Sequence, residues 1–180
     1  MSTFTIVATG NSAKDWQSNG YSIGVNDCWK WGKPTDGLLI CNRPAEFRGE
    51  RMAIIQKSTP KDFYSHKSNW AEYFPHWKKI RLHVWNGTLH SWPRTDGPSA
   101  YSYNTSPIIA ITLAYNLGAK EIIIWGVDFV NHHLFNSDNP ETKREVKAYS
   151  QVFEQLKEKG VSVYRGADGT AFDNELMKYE

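Results

Sequence analysis

Small polar residues recur where apolar runs stop, and their types suit anion and hydroxyl binding. "TGNS" places Thr9, Gly10, Asn11 and Ser12 after the first apolar run. A glycine turn that opens a helix lets backbone N–H groups approach an anion closely. The stretch lacks the full G-x-G-x-x-G of dinucleotide sites and the lysine of a P-loop, and such a turn also serves packing. "GVND" adds Asn26 and Asp27, and "ICNRP" adds Asn42 and Arg43. Asn11, Asn26 and Asn42 are each explicable alone as turn formers. Together at one sheet edge they supply donors and acceptors for a nucleotide base, ribose or phosphate.

"YNTSP" contributes Asn104, Thr105 and Ser106 at the start of a helix. A helix N-terminus concentrates unpaired N–H groups and positive partial charge, which favours phosphate. Ser106 is equally a plausible helix cap. "GVDF" ends a later apolar run with Asp128, and His132 and His133 follow closely. A histidine there can serve as a general base, or as an imidazolium beside an anionic oxygen. The alternative is a loop pair that faces solvent. A metal site from Asp128, His132 and His133 is disfavoured, because a hard metal wants more carboxylates and no D-x-D motif is present.

The elements that must position these groups alternate between strand and helix. Strands are predicted at "FTIVATG", "YSIGVN", "GLLICN", "RMAIIQ", "KKIRLHVW", "EIIIWG" and "VSVYRG". A short helix is expected around Ser12 to Gln17. A stronger one covers 105–117, with Ser106 as N-cap, Pro107 as first helical residue and Gly118 as the stop. A charged amphipathic helix spans 141–159. "EIIIWG" is continuously apolar, as expected of a central parallel strand covered on both faces. This order predicts a single-domain α/β fold, a Rossmann-like three-layer sandwich with a mainly parallel central sheet. Ligands then bind outside the carboxyl ends of the strands.

Residues 58–100 stand apart. They hold Trp70, Trp77, Trp85 and Trp92, with His66, His76, His83 and His90, and six basic residues against three acidic ones. They read as a long aromatic-rich insertion or binding segment, or as an irregular stretch packing its own rings.

Composition narrows the class. A chain of 180 residues with 40% hydrophobic residues suits one domain with a genuine core. A net charge of +2 gives no global drive toward nucleic acid or membrane. Cys28 and Cys41 fit no zinc or redox spacing and are expected to be reduced, largely buried thiols. No apolar run reaches the length of a membrane span. "MSTFTIVATG" is too polar for a signal peptide, so a cytoplasmic location is expected.

"IVATGNS", "GVNDCW", "ICNRP" and "NTSPIIAITLAYNLGAKEIIIWGVDF" together resemble the bacterial sialyltransferases that use CMP-sialic acid. Related pterin-pyrophosphokinase-like domains share the layout. The resemblance covers the first quarter of the chain and residues 104–129. It implies that Gly10, Asn11 and Ser12 line the phosphate or sugar. It further implies that Asn26 and Asn42 contact the nucleotide or donor sugar, and that Thr105 and Ser106 approach the donor. The chain departs from the family pattern in three ways. Pro107 replaces a glycine and removes one N–H donor. Val130 and Phe135 stand where leaving-group tyrosines are expected. No histidine follows His133.

The expected activity is glycosyl transfer from a nucleotide-sugar to an acceptor hydroxyl, on a glycan or a modified DNA base, without cofactor or required metal. His132, His133 and Asp128 are the catalytic candidates. Gly10, Asn11, Ser12, Asn26, Asn42, Arg43, Asn104, Thr105 and Ser106 are the binding candidates. A magnesium-dependent pyrophosphoryl or nucleotidyl transferase and a non-catalytic nucleotide-binding module are the alternatives.

Overall fold

The computed structural model describes residues 2–90, 97–102, 104–130 and 139–180. Its first strand, β1 (Thr3–Val7), lies inside a seven-stranded sheet. On one side follow β2 (Tyr21–Val25), β3 (Gly37–Leu39), β4 (Asp62–Ser65) and the edge strand β5 (Trp77–Lys79). On the other side lie β8 (Glu121–Trp125) and β9 (Ser162–Arg165). Each neighbouring pair is parallel. A separate two-stranded parallel sheet pairs β6 (Arg81–Val84) with β7 (Ser99–Ser102). The strand order reverses around β1, which makes its carboxyl end a topological switch point.

The sheet separates two apolar cores because alternate side chains leave a strand on opposite faces. Ile6, Ala8 and Leu39 face the core with α2 (Ser106–Asn116) and α3 (Pro140–Glu158). Val7, Leu38 and Ile40 face the core with α1 (Glu50–Lys57) and several 3-10 turns. This is the Rossmann-like sandwich expected from the sequence. α2 is buried continuously from Ile108 to Leu113 and on to Ala114, and it ends in a Schellman motif. Gly118 takes a φ of 96° and donates to Tyr115 O at 2.9 Å, while Ala119 donates to Ala114 O at 3.0 Å. α3 is capped by Asn139, whose side chain accepts from the Glu141 N–H at 2.8 Å.

Several expectations are corrected. "RMAIIQ" is helix α1, not a strand. Its Ile54–Ile55 pair is β-branched, but Glu50 at the start, Lys57 at the end and the intervening Arg, Met, Ala and Gln all favour helix. "KKIRLHVW" is not one strand: the chain changes sheets at Ile80, giving β5 and β6. β4 and β7, both within or adjoining the aromatic-rich segment, are found where no strand was predicted. The N-cap of α2 is Thr105, one residue earlier than expected, with Ser106 and Pro107 in its first turn. Cys28 and Cys41 are free, and burial pushes both thiols up to about 12. Among the described residues, no helix is long and apolar enough to cross a membrane.

Candidate active site

A cavity of about 750 Å3 opens at the carboxyl ends of β1, β2 and β8. β1 and β8 run in register from Thr3 opposite Glu121 to Val7 opposite Trp125, so their terminal loops emerge side by side. Gly10 N–H then donates to Gly126 O at 2.9 Å. A Cβ on Gly10 would lie 2.5 Å from that oxygen and 2.6 Å from Asp128 Oδ2, so no larger residue fits without displacing the turn. The glycine is required by the approach of the two loops, and that approach shapes the cavity floor.

Asp128 seals the junction. It is 8% exposed. Its carboxylate accepts the Ser12 N–H at 3.0 Å and the Ser12 hydroxyl. Ser12 Oγ in turn accepts the Gly126 N–H at 2.8 Å. Asp128 therefore lines the cavity while holding the turn that carries Gly10 and Asn11, both lining residues. Ser12 braces that turn from behind and is absent from the lining.

The helix mouth forms a second wall, with Asn104, Thr105, Ser106 and Pro107 lining it. Thr105 makes no capping hydrogen bond. Its hydroxyl instead shares a 2.7 Å hydrogen bond with the hydroxyl of Tyr149, a fully buried lining residue on α3. The first N–H groups of α2 thus open on the cavity without a side-chain cap. Asn104 donates through Nδ2 to Glu145 Oε1 at 2.9 Å.

The third wall comes from β2 and β3. Asn26 takes a φ of 55°, a left-handed conformation that asparagine tolerates better than most residues, and its Oδ1 is buried with no partner among the described residues. Asp27 receives both Nε and Nη2 of Arg51, at 3.1 and 2.7 Å. Lys30 is the other lining cation among the described residues, and its ammonium sits 4.6 Å from the Trp31 ring centroid. Asn42 lines the cavity and donates to Glu46 Oε2 at 2.8 Å. Its backbone oxygen accepts from Trp70 Nε1 at 2.8 Å. Trp70, fully buried in the second core, is thus how the aromatic segment supports the site. Among the described residues, none of 58–100 lines the cavity. Phe129, at a φ of 51°, also lines the cavity. A bulky side chain rarely adopts that conformation, and its ring contacts Tyr149 and Phe172 hold it there.

The structure brings together Gly10, Asn11, Asn26, Asn42, Asn104, Thr105, Ser106 and Asp128. Arg43 is exposed outside the lining, with its N–H donated to Glu46 Oε1 at 2.7 Å. His132 and His133 lie outside the described residues. Sequence reasoning missed Lys30, Arg51 and Tyr149. Arg51 was hidden by reading its helix as a strand. Tyr149 was detectable, because it falls four residues after Glu145 on a helix of evident amphipathicity.

Among the described residues, no group of three or more His, Cys, Asp or Glu could hold a metal ion. No family model matches the sequence, and no curated protein matches it. Solved structures do share the fold. Sialyltransferase CstII from Campylobacter jejuni in complex with the substrate analogue CMP-3FNeuAc superimposes with a TM-score of 0.59 at 12% identity, over 100% of this chain and 86% of that one. The same enzyme with cytidine-5'-monophosphate gives 0.61 at 13% identity, again over 100% and 86%. An alpha-2,3-sialyltransferase from the same organism, in apo form, gives 0.57 at 15% identity over 99% and 80%.

Proposed function

We propose that this protein transfers a sugar from a nucleotide-activated donor to an acceptor hydroxyl, on a glycan or a modified nucleobase. The observation that carries the reading is the uncapped mouth of α2 facing the Gly10 turn across the switch point. The uncapped N–H groups at the start of α2 open there, as a phosphate requires, while the N–H groups of Gly10 and Ser12 are taken by Gly126 O and Asp128 and fix the facing turn. The shared fold with enzymes solved with CMP and a CMP-sugar analogue makes a CMP-linked sugar the first donor to test.

In the reaction, the acceptor oxygen bonds to the anomeric carbon as the bond from that carbon to the phosphate oxygen breaks. The electron pair leaves on the nucleotide phosphate, and the acceptor proton passes to a base. The α2 mouth and Lys30 supply positive charge for the departing phosphate. His132 and His133 are assigned the proton transfer on their sequence position. Asp128 is assigned to holding the Gly10–Ser12 turn, because Ser12 already takes its carboxylate. A cytoplasmic location fits the two free cysteines, Cys28 and Cys41, because a reducing compartment keeps thiols unpaired.

The magnesium-dependent alternative is less well supported. It needs carboxylates free to face the phosphates, whereas Asp27 is bound by Arg51 and Asp128 by Ser12.

The test is a thermal-shift screen with CMP, UDP, ADP, GDP and their sugars, with and without magnesium. A ligand that binds only the native state raises the melting temperature by mass action. A shift with a nucleotide-sugar independent of magnesium supports the reading, and no shift with any nucleotide overturns it.

A further inference from the structure

Glu145 is a buried carboxylate that packing does not explain. It is 2% exposed on α3. Oε1 accepts from Asn104, with Arg144 Nη2 at a long 3.8 Å, and Oε2 has no hydrogen-bond partner among the described residues. Burying a carboxylate with so few partners costs stability, so folding alone does not account for it. Its one close partner among the described residues, Asn104, lines the cavity.

A carboxylate oxygen only accepts, so Asn104 must turn its Nδ2 toward Glu145. That leaves Oδ1, which makes no hydrogen bond among the described residues, as the atom offered to a ligand. The polarity recurs at Asn42, whose Nδ2 is taken by Glu46. The Asn42 hydrogen bond, followed by that of the Arg43 N–H, holds the Glu46 carboxyl below the usual range. Asn26 likewise has an Oδ1 without a partner among the described residues. An asparagine can offer either polarity, and here the buried Glu145 and the exposed Glu46 each take the amide N–H and leave the acceptor.

We infer that Glu145 is a positioning residue that fixes Asn104 with its carbonyl oxygen toward the cavity, so that the site selects a nucleotide presenting a hydrogen-bond donor there. The donor is an exocyclic amine of the base or a ribose hydroxyl. A site built to accept from such a group rejects analogues lacking it, since its own acceptor is then left unpaired. The inference rests on the nucleotide reading of the cavity.

Glu145→Gln tests it. Glutamine keeps the shape but can donate to Asn104 Oδ1, so the amide no longer has a fixed orientation. Calorimetric titration of CMP, UMP and dCMP into wild type and variant separates the two sources. We expect wild type to prefer CMP over UMP (base amine) or over dCMP (ribose hydroxyl) by about 5- to 10-fold, the worth of one hydrogen bond. Glu145→Gln brings that ratio close to one while affinity for the disfavoured analogue holds. Asn104→Ala, on an exposed side chain, gives the same loss of preference and keeps the test valid if Glu145→Gln folds poorly. Ratios unchanged in both variants overturn the inference alone. Wild type that binds none of the nucleotides overturns the nucleotide reading, and this inference with it.

Discussion

Ser12 and Asp128, 116 residues apart in sequence, meet through two hydrogen bonds at the base of the cavity, one from the Ser12 N–H at 3.0 Å and one from its hydroxyl. They join the first strand's turn to the loop after β8, the two segments that bracket the switch point. Neither residue has an evident need for the other in the linear sequence. In the fold, the pair ties the Gly10 turn to the loop after β8.

Removing either partner strands the other's buried polar group. Asp128→Ala and Ser12→Ala should each lower unfolding stability by about 1–3 kcal/mol. In a double-mutant cycle the two losses should be non-additive, because both remove the hydroxyl–carboxylate hydrogen bond, while the Ser12 N–H bond is lost only in Asp128→Ala. Urea unfolding of the three variants measures the coupling.

The mouth of α2 yields a paired prediction. Pro107→Ala restores the N–H that proline lacks and should tighten binding of a nucleotide phosphate by about 10-fold, the effect of one hydrogen bond to a charged group. Tyr149→Phe acts in the opposite direction. It frees the Thr105 hydroxyl to cap the Ile108 N–H, so affinity falls while stability changes by about 1 kcal/mol or less. Calorimetric titration alongside thermal melting separates the two effects.

The sequence displayed the site's main chemistry because strand ends in a parallel sheet carry recognisable residues. Gly10, Asn26, Asn42 and Asp128 could be placed at one edge once the apolar runs were read as parallel strands. What it did not display was which polar groups are engaged by neighbours. Nothing local marks Ser12 as the partner of Asp128, or Glu145 as that of Asn104, since both pairings depend on long-range packing. The short strand β4 was missed because only Phe63 and Tyr64 stand between polar flanks. The run at 51–56 misled because a short apolar stretch has no distinguishing period, and flanking helix formers decided the outcome.

Away from the cavity, Asp62 should make the fold acid-sensitive. Burial pulls its carboxyl upward, but the Lys78 ammonium at 2.6 Å and the Tyr21 hydroxyl outweigh this and hold it below the usual carboxylate range. A carboxyl depressed on folding contributes stability above its unfolded value of about 4. That contribution is lost as pH falls through the lower folded value. Asp62→Asn should therefore flatten the fall of stability with pH below about 4. An unfolding series across that window, unchanged from wild type, would contradict the assignment.

For the histidines the expectation is kinetic. His132→Ala or His133→Ala should lower turnover by roughly 10²–10⁴-fold, the usual contribution of a general base, with nucleotide affinity retained. Steady-state rates set beside equilibrium titrations check this. Full turnover in both single variants and in the double variant would remove the pair from the mechanism.

If the crevice beside Gly10 holds the nucleotide of an activated sugar, calorimetric titration of nucleotide-sugars into wild type and Gly10→Ala must show it. One-to-one binding to wild type is expected, weakened by about 10-fold or more in the variant, because the added Cβ must push aside Gly126 O and Asp128 Oδ2. Absence of binding to wild type, or equal affinity in a folded Gly10→Ala variant, would contradict it.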